Sequence, residues 1–131
     1  MPVSPGSRAL KTFRGEYDFA VDGGAIGTIP LRGDSGALPV GSLILGGVLE
    51  ILTAFTTGSA ATAALTAEAA NDIQTATVVS GAPYSTTGQK SITPAFTGAT
   101  SIKATVDRSP SIVIATGTIT AGKLRLTLFY V

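Results

Sequence analysis

The stretch from Ser109 to Val131 constrains the fold most, because it predicts two β-strands without reference to the rest of the chain. In its second half, apolar residues alternate with cationic ones: Leu124, Leu126 and Leu128 against Lys123 and Arg125. This is the period of two with which a pleated strand directs side chains to opposite faces, one buried and one solvated. We predict a hairpin in which Gly122 supplies the positive φ of the turn, and hence an antiparallel β framework.

Other segments alternate in the same way and are separated by Gly, Pro, Ser and Thr. Apolar residues occupy every second position in Gly15 to Asp22 and again in Ile102 to Asp107, so both predict half-buried strands. About seven or eight short strands with little helix predict an all-β protein, an antiparallel β-sandwich of the jelly-roll type. We expect residues 15–131 to form this sandwich and residues 1–14 to form a flexible, basic N-terminal arm. A solvated terminus without a contact is the alternative for the arm.

The run from Ala37 to Phe55 carries a single charge and is long enough for a membrane-spanning helix. Glu50 would be costly inside a bilayer, and Gly46-Gly47 weakens a helix. We therefore favour long buried strands and expect no membrane partner. The glycine pair is predicted to be a bulge or bend, with four apolar residues in phase on one face: Leu43, Leu45, Leu49 and Ile51.

The composition excludes several kinds of chemistry. The chain has no Cys and no His, so thiolate nucleophiles, imidazole bases and the usual zinc, iron and copper ligand sets are absent, and we expect neither an enzyme nor a bound cofactor. A net charge of +1 argues against nucleic acid as a partner. Only 13% of the residues are charged, which is explained if partner molecules cover part of the surface. A plain β-sandwich that exposes Thr in place of Lys and Glu is the alternative.

Two motif matches and one group of carboxylates suggest catalysis, but each lacks a feature that the reaction requires. The sequence GDSG at residues 33–36 matches the segment around the nucleophile of trypsin-like proteases, but no His is available as the base. Residues 117–123 have the spacing of a phosphate-binding loop, but Leu124 stands where Ser or Thr must hold magnesium. Glu16, Asp18 and Asp22 could serve glycoside hydrolysis, yet they are predicted on one solvated strand face.

Three segments carry a resemblance to a known family: Ala54 to Leu65, Gly81 to Ile92 and Thr120 to Val131. In their Ala, Thr and Gly content and in their order, they resemble the capsid decoration, or cement, proteins of tailed bacteriophages. Residues 1–15 lack the apolar core of a secretory signal, so we expect synthesis in the host cytoplasm. The resemblance implies a β-sandwich protein that joins the virion at the capsid surface. There it would bind the major capsid protein between capsomers as a homo-oligomer, a dimer or a trimer. On this hypothesis Arg8, Lys11, Phe13 and Arg14 are the candidate capsid contacts.

The second hypothesis is a head-fibre or adsorption module that recognises a glycan on the host surface. Its candidate ligand loop is Ser80 to Gly88, in which Tyr84 is predicted as an exposed aromatic beside small polar residues. The two hypotheses differ in the partner they require, a protein shell or a sugar.

Overall fold

The computed structural model describes residues 10–33 and 37–131. Within them the chain forms ten strands and one short helical turn. In chain order these are β1 (Lys11–Asp18), α1 (Phe19–Asp22), β2 (Gly27–Pro30), β3 (Arg32–Gly33), β4 (Leu43–Thr57), β5 (Thr62–Thr66), β6 (Gln74–Val78), β7 (Gly88–Lys90), β8 (Ile102–Lys103), β9 (Ser111–Ala115) and β10 (Ile119–Tyr130). The long strand β4 lies in the run that could have been a membrane-spanning helix. No helix in the described parts of the chain has the length and apolarity to cross a bilayer.

The strands form two antiparallel sheets. The first sheet has the order β3-β1-β10-β4-β7, with β8 also pairing with β4, and the second has the order β2-β9-β5-β6. Their apolar faces share one hydrophobic core, to which β10 contributes Leu126 and β9 contributes Ile112. The predicted all-β sandwich is thereby confirmed. The jelly roll stays a prediction, which is favoured by this strand order and by the alternation of the chain between the sheets.

The two strands predicted at the end of the chain are present, but they do not form the predicted hairpin. β9 pairs with β2 and β5 in the second sheet, whereas β10 pairs with β1 and β4 in the first. Gly122 has the expected positive φ, +148°, but it lies inside β10. A Cβ atom there would meet the Phe55 ring at 2.6 Å, so the glycine makes room in the core and does not form the turn.

The register of β4 against β10 contains an extra residue near its start. Tyr130 pairs with Ile44 and Phe129 with Gly46, so Leu45 is left over as a bulge. The glycine pair was predicted to be the bulge or bend, but both glycines are in register with β10 and the bulged residue is Leu45, just before them. The predicted phase is wrong for Leu43 and Leu45, which are half-buried, while Ile44 belongs to the core. A bulge reverses the faces of the residues beyond it, so one alternation pattern could not hold along the whole strand.

β1 starts before the predicted strand and ends earlier. It begins at Lys11, so the predicted boundary between residues 14 and 15 falls inside it. After Asp18 the chain makes the helical turn α1 where we predicted more strand. The Asp18 side chain accepts a hydrogen bond from the backbone N–H of Ala20, and Gly23 ends the turn with a φ of +76°. Asp and Gly at these places are common helix-capping residues, and here they override the alternation.

Candidate interaction surface

The four residues predicted to touch a partner occupy different environments. Lys11 and Arg14 are exposed on β1, opposite Tyr130 and Thr127 of β10. Phe13, between them, points inward and is only 2% exposed. Arg8 lies outside the described residues, as do Asp34, Ser35 and Gly36 of the GDSG match. The two cations therefore lie at the surface, whereas Phe13 belongs to the hydrophobic core.

The outer face of the first sheet carries a group of ion pairs, which we call the charge ladder: Glu16 and Asp18 on β1, Lys123 and Arg125 on β10, and Glu50 on β4. Arg125 lies between Glu16 at 3.4 Å and Glu50 at 3.8 Å. Lys123 lies 3.9 Å from Glu16 and 4.0 Å from Asp18. The register places these residues side by side, since Glu16 pairs with Arg125 and Arg125 with Glu50. The charges of the ladder are therefore largely compensated within the molecule, with three carboxylates around two cations.

Each of the remaining described carboxylates also pairs with a cation or accepts hydrogen bonds. Asp22 pairs with Arg32 at 3.0 Å. Glu68 pairs with Arg108 at 2.7 Å and accepts two hydrogen bonds from Thr105, contacts that lower the pKa of its carboxyl from 4.5 to about 2. Asp72 accepts hydrogen bonds from three backbone N–H groups, and Asp107 accepts one from Val40.

Four cations differ from these carboxylates, because no described carboxylate lies within 4.0 Å of them: Lys11, Arg14, Lys90 and Lys103. Among the described residues, four cations thus have no ion pair, whereas the carboxylates without one, Asp72 and Asp107, accept hydrogen bonds from backbone N–H groups. A partner surface with exposed carboxylates would complement these four cations.

The part of the outer face away from the charge ladder is apolar and concave. Phe96, 61% exposed, lies with its ring centroid 6.1 Å from that of Phe129. Beside it is an open depression of about 420 Å³, which we call the Phe96 depression; it is lined by residues that include Val48, Lys90, Ile92, Pro94, Ala95 and Phe96. The sequence analysis did not identify Phe96. A large aromatic residue between Pro94 and Gly98 was the available signal, since turn residues seldom bury such a side chain.

Tyr84, the residue predicted for a ligand loop, is inside the molecule. It is 0% exposed, and its ring centroid lies 5.4 Å from that of Phe55, which in turn stacks on Tyr17 at 5.8 Å. Burial raises the pKa of the Tyr84 hydroxyl above its ordinary value. Burial also raises the pKa of Tyr17 to about 12, with added effects of the Asp22 and Asp18 charges. The Ser80 to Gly88 loop therefore does not offer the Tyr84 ring to a sugar.

The carboxylates considered for hydrolysis are Glu16, Asp18 and Asp22, and each lies against a cation in the pairs described above. In residues 10–33 and 37–131 no three Asp or Glu side chains come together in a way that could hold a metal ion.

Chains of two phage capsid structures have a similar fold. One match is a chain of the acid-stable capsid structure of Helicobacter pylori bacteriophage KHP30, with a TM-score of 0.62 and 14% identity over 92% of this chain and 86% of that one. Another is a chain of the capsid asymmetric unit of cyanophage Pam1, with a TM-score of 0.60 and 21% identity over 99% of this chain and 98% of that one. No family model and no curated protein matches the sequence. The resemblance to phage capsid β-sandwich proteins is thus confirmed at the level of the fold.

Proposed function

We propose that this chain is a structural virion protein that binds the outer surface of a bacteriophage capsid between capsomers and stabilises the shell. Its partner would be the major capsid protein, and it would act as a dimer or trimer. The observation that carries the proposal is the fold match, which covers nearly the whole chain in two capsid structures from different phages.

The distribution of charge supports a protein partner. The described carboxylates are held by neighbouring groups, while Lys11 and Arg14 project from β1 without one. Association with a surface that bears carboxylates would pair these cations, and such complementarity gives specificity and faster encounter. The small number of charged side chains also reduces the number of ions that must lose water in a large interface.

Stabilisation would follow from linkage between binding and assembly. A protein that binds the assembled shell and not the free subunits shifts the equilibrium toward the shell, by about 2.7 kcal/mol for each site at a concentration one hundred times Kd. No chemical step is needed for this effect.

The test is co-sedimentation of the purified chain with shells assembled from the major capsid protein of the same phage. We expect a saturable amount of the chain in the shell pellet, little binding to unassembled capsid subunits, and a higher temperature of shell disruption when the chain is bound. A chain that stays in the supernatant at concentrations well above micromolar would contradict the proposal. A glycan array tests the second hypothesis in parallel, since only a sugar-binding module should give a specific signal there.

A further inference from the structure

The Phe96 depression exists because β4 carries two adjacent glycines. A Cβ atom on Gly46 would lie 2.3 Å from the Phe96 ring, so the ring rests on a stretch of strand without a side chain. The backbone N–H of Phe96 donates a 2.7 Å hydrogen bond to the carbonyl of Leu45, which fixes the segment to the bulge. Phe96 also has a φ of +61°, a conformation that costs energy in a residue other than glycine. The fold therefore holds a large apolar ring at the surface.

One cation lines this apolar area, and a second lies two strands away on the same face of the sheet. Lys90 lines the depression, and its ammonium group donates a hydrogen bond to the Thr86 hydroxyl at 2.6 Å but meets no described carboxylate. Arg14 and Val48 are both paired with Thr127, one on each side of it. Since neighbouring strands lie about 4.8 Å apart, Arg14 and Val48 are about 10 Å apart, which a long Arg side chain can span.

From this arrangement we propose that the Phe96 depression is the surface that docks on the shell, and that its occupant is a capsid-protein segment with an apolar side chain and at least one flanking carboxylate. The inference rests on the proposed function and names the site through which it acts. The apolar side chain would contact Phe96 and Val48, and the carboxylate would pair with Arg14 or Lys90. An apolar centre with a charged rim is the usual composition of protein interfaces, and buried aromatic and Arg residues provide much of their affinity.

Charge favours a protein segment over a sugar as the occupant. A neutral glycan would leave Arg14 and Lys90 without partners, whereas an acidic segment would pair both. A second copy of this chain is a poor complement, because its described carboxylates are already held by neighbouring groups within the molecule.

The experiment measures shell binding by co-sedimentation for Phe96→Ala and Arg14→Ala. Both side chains are exposed, so both variants should keep the wild-type circular dichroism spectrum and should melt within about 5 °C of the wild type. We expect Phe96→Ala to weaken binding about tenfold or more. Arg14→Ala should weaken it about fivefold and should make binding less sensitive to salt.

Two matched controls change similar groups elsewhere. Val21→Ala removes an apolar side chain that is 66% exposed on α1, and Thr75→Glu changes the net charge by the same amount as Arg14→Ala, on the edge strand β6. Both should bind shells as the wild type does. Gly46→Ala is a further variant, because its methyl group should displace the Phe96 ring without removing it, and it should also weaken binding.

The outcomes separate this inference from the proposed function. If the wild type binds shells and Phe96→Ala and Arg14→Ala bind equally well, the docking surface is wrong while the capsid role stands. If the wild type does not bind shells, both are wrong. Phe96→Ala could also leave shell binding unchanged but abolish a glycan-array signal, which would overturn the inference and assign the depression to a sugar. If it instead abolished self-association, the depression would be assigned to a second copy of the chain.

Discussion

A methyl group added at one of two neighbouring glycines should lower the stability, whereas a methyl group added at the other should leave it nearly unchanged. Neither Gly46 nor Gly47 has a positive φ, so alanine can adopt both backbone conformations and only space matters. A Cβ atom on Gly47 would lie 2.1 Å from the carbonyl oxygen of Thr127, which belongs to the backbone of β10. On Gly46 the nearest atoms to the added Cβ belong to the ring of Phe96, an exposed side chain that can turn away.

The magnitudes follow from what must move. In Gly47→Ala, β4 and β10 must separate by about 1 Å to restore ordinary contact, which disrupts about two ladder hydrogen bonds at about 1 kcal/mol each and adds about 1 kcal/mol of overpacking. Lower entropy of the unfolded chain offsets about 0.4–1 kcal/mol of this. We expect a net loss of about 2–3 kcal/mol, or about 10 °C in melting temperature for a domain of this size. In Gly46→Ala, loss of the contact between Phe96 and Phe129 is about balanced by the same entropy gain, so the change should stay within about 1 kcal/mol.

Urea unfolding followed by far-ultraviolet circular dichroism measures both free energies, and it suits a chain that has no Trp for fluorescence. The two variants carry the same chemical change at adjacent positions, so each controls for the other. Equal stabilities would refute the reasoning, because the steric cost would then not depend on whether the obstacle is backbone or a mobile ring. A stable Gly47→Ala would show that the register of β4 and β10 is not the one described.

Two further predictions concern buried hydroxyls and pH. Tyr84→Phe removes a hydroxyl that has no hydrogen-bond partner among the described residues, so it should stabilise the fold by about 1 kcal/mol. Tyr17→Phe removes the donor to the Gly23 carbonyl and should destabilise the fold by a similar amount. A lower urea midpoint for Tyr84→Phe than for the wild type would contradict this reasoning. Glu68→Gln should lower the melting temperature at pH 7. Arg108 lowers the pKa of Glu68 in the folded state from 4.5 to about 2. The higher melting temperature of the wild type should therefore be fully present above pH 4.5 and should be lost as the pH falls toward 2. A difference in melting temperature that stays constant across that range would count against the ion pair.

The sequence was sufficient for the fold class because β10 alternates cleanly. Its apolar residues are buried and its cations face outward, as the pattern predicted. The pairing of β9 with β10 was wrong because alternation reports which face of a strand is buried and carries no information on the neighbouring strand. Adjacent strands in a sandwich can pair or can cross between sheets, and a short turn containing Gly serves both connections.

The exposure of the candidate contacts was predicted only in part, for a related reason. Arg14 and Lys11 were singled out by charge, and the structure places both at the surface. Phe13 was included with them, although in a strand it must face the opposite way from the adjacent Arg14. Phe96 could not be found from periodicity, since its exposure depends on the bulge at Leu45 and on the bare backbone of Gly46, which lie far from it in sequence.

The two glycines also allow stability and binding to be separated. Gly47 is required for the approach of β4 to β10, and a methyl group there should lower stability whatever the protein binds. Gly46 leaves space for the Phe96 ring, so a methyl group there should change the surface and leave the fold intact. A Gly46→Ala variant with wild-type stability and weaker shell binding would show that the position of the ring matters, because the ring itself is still present. If that variant bound shells normally, Phe96 would contact the partner in some other position or not at all, and the glycine would serve only the bulge beside it.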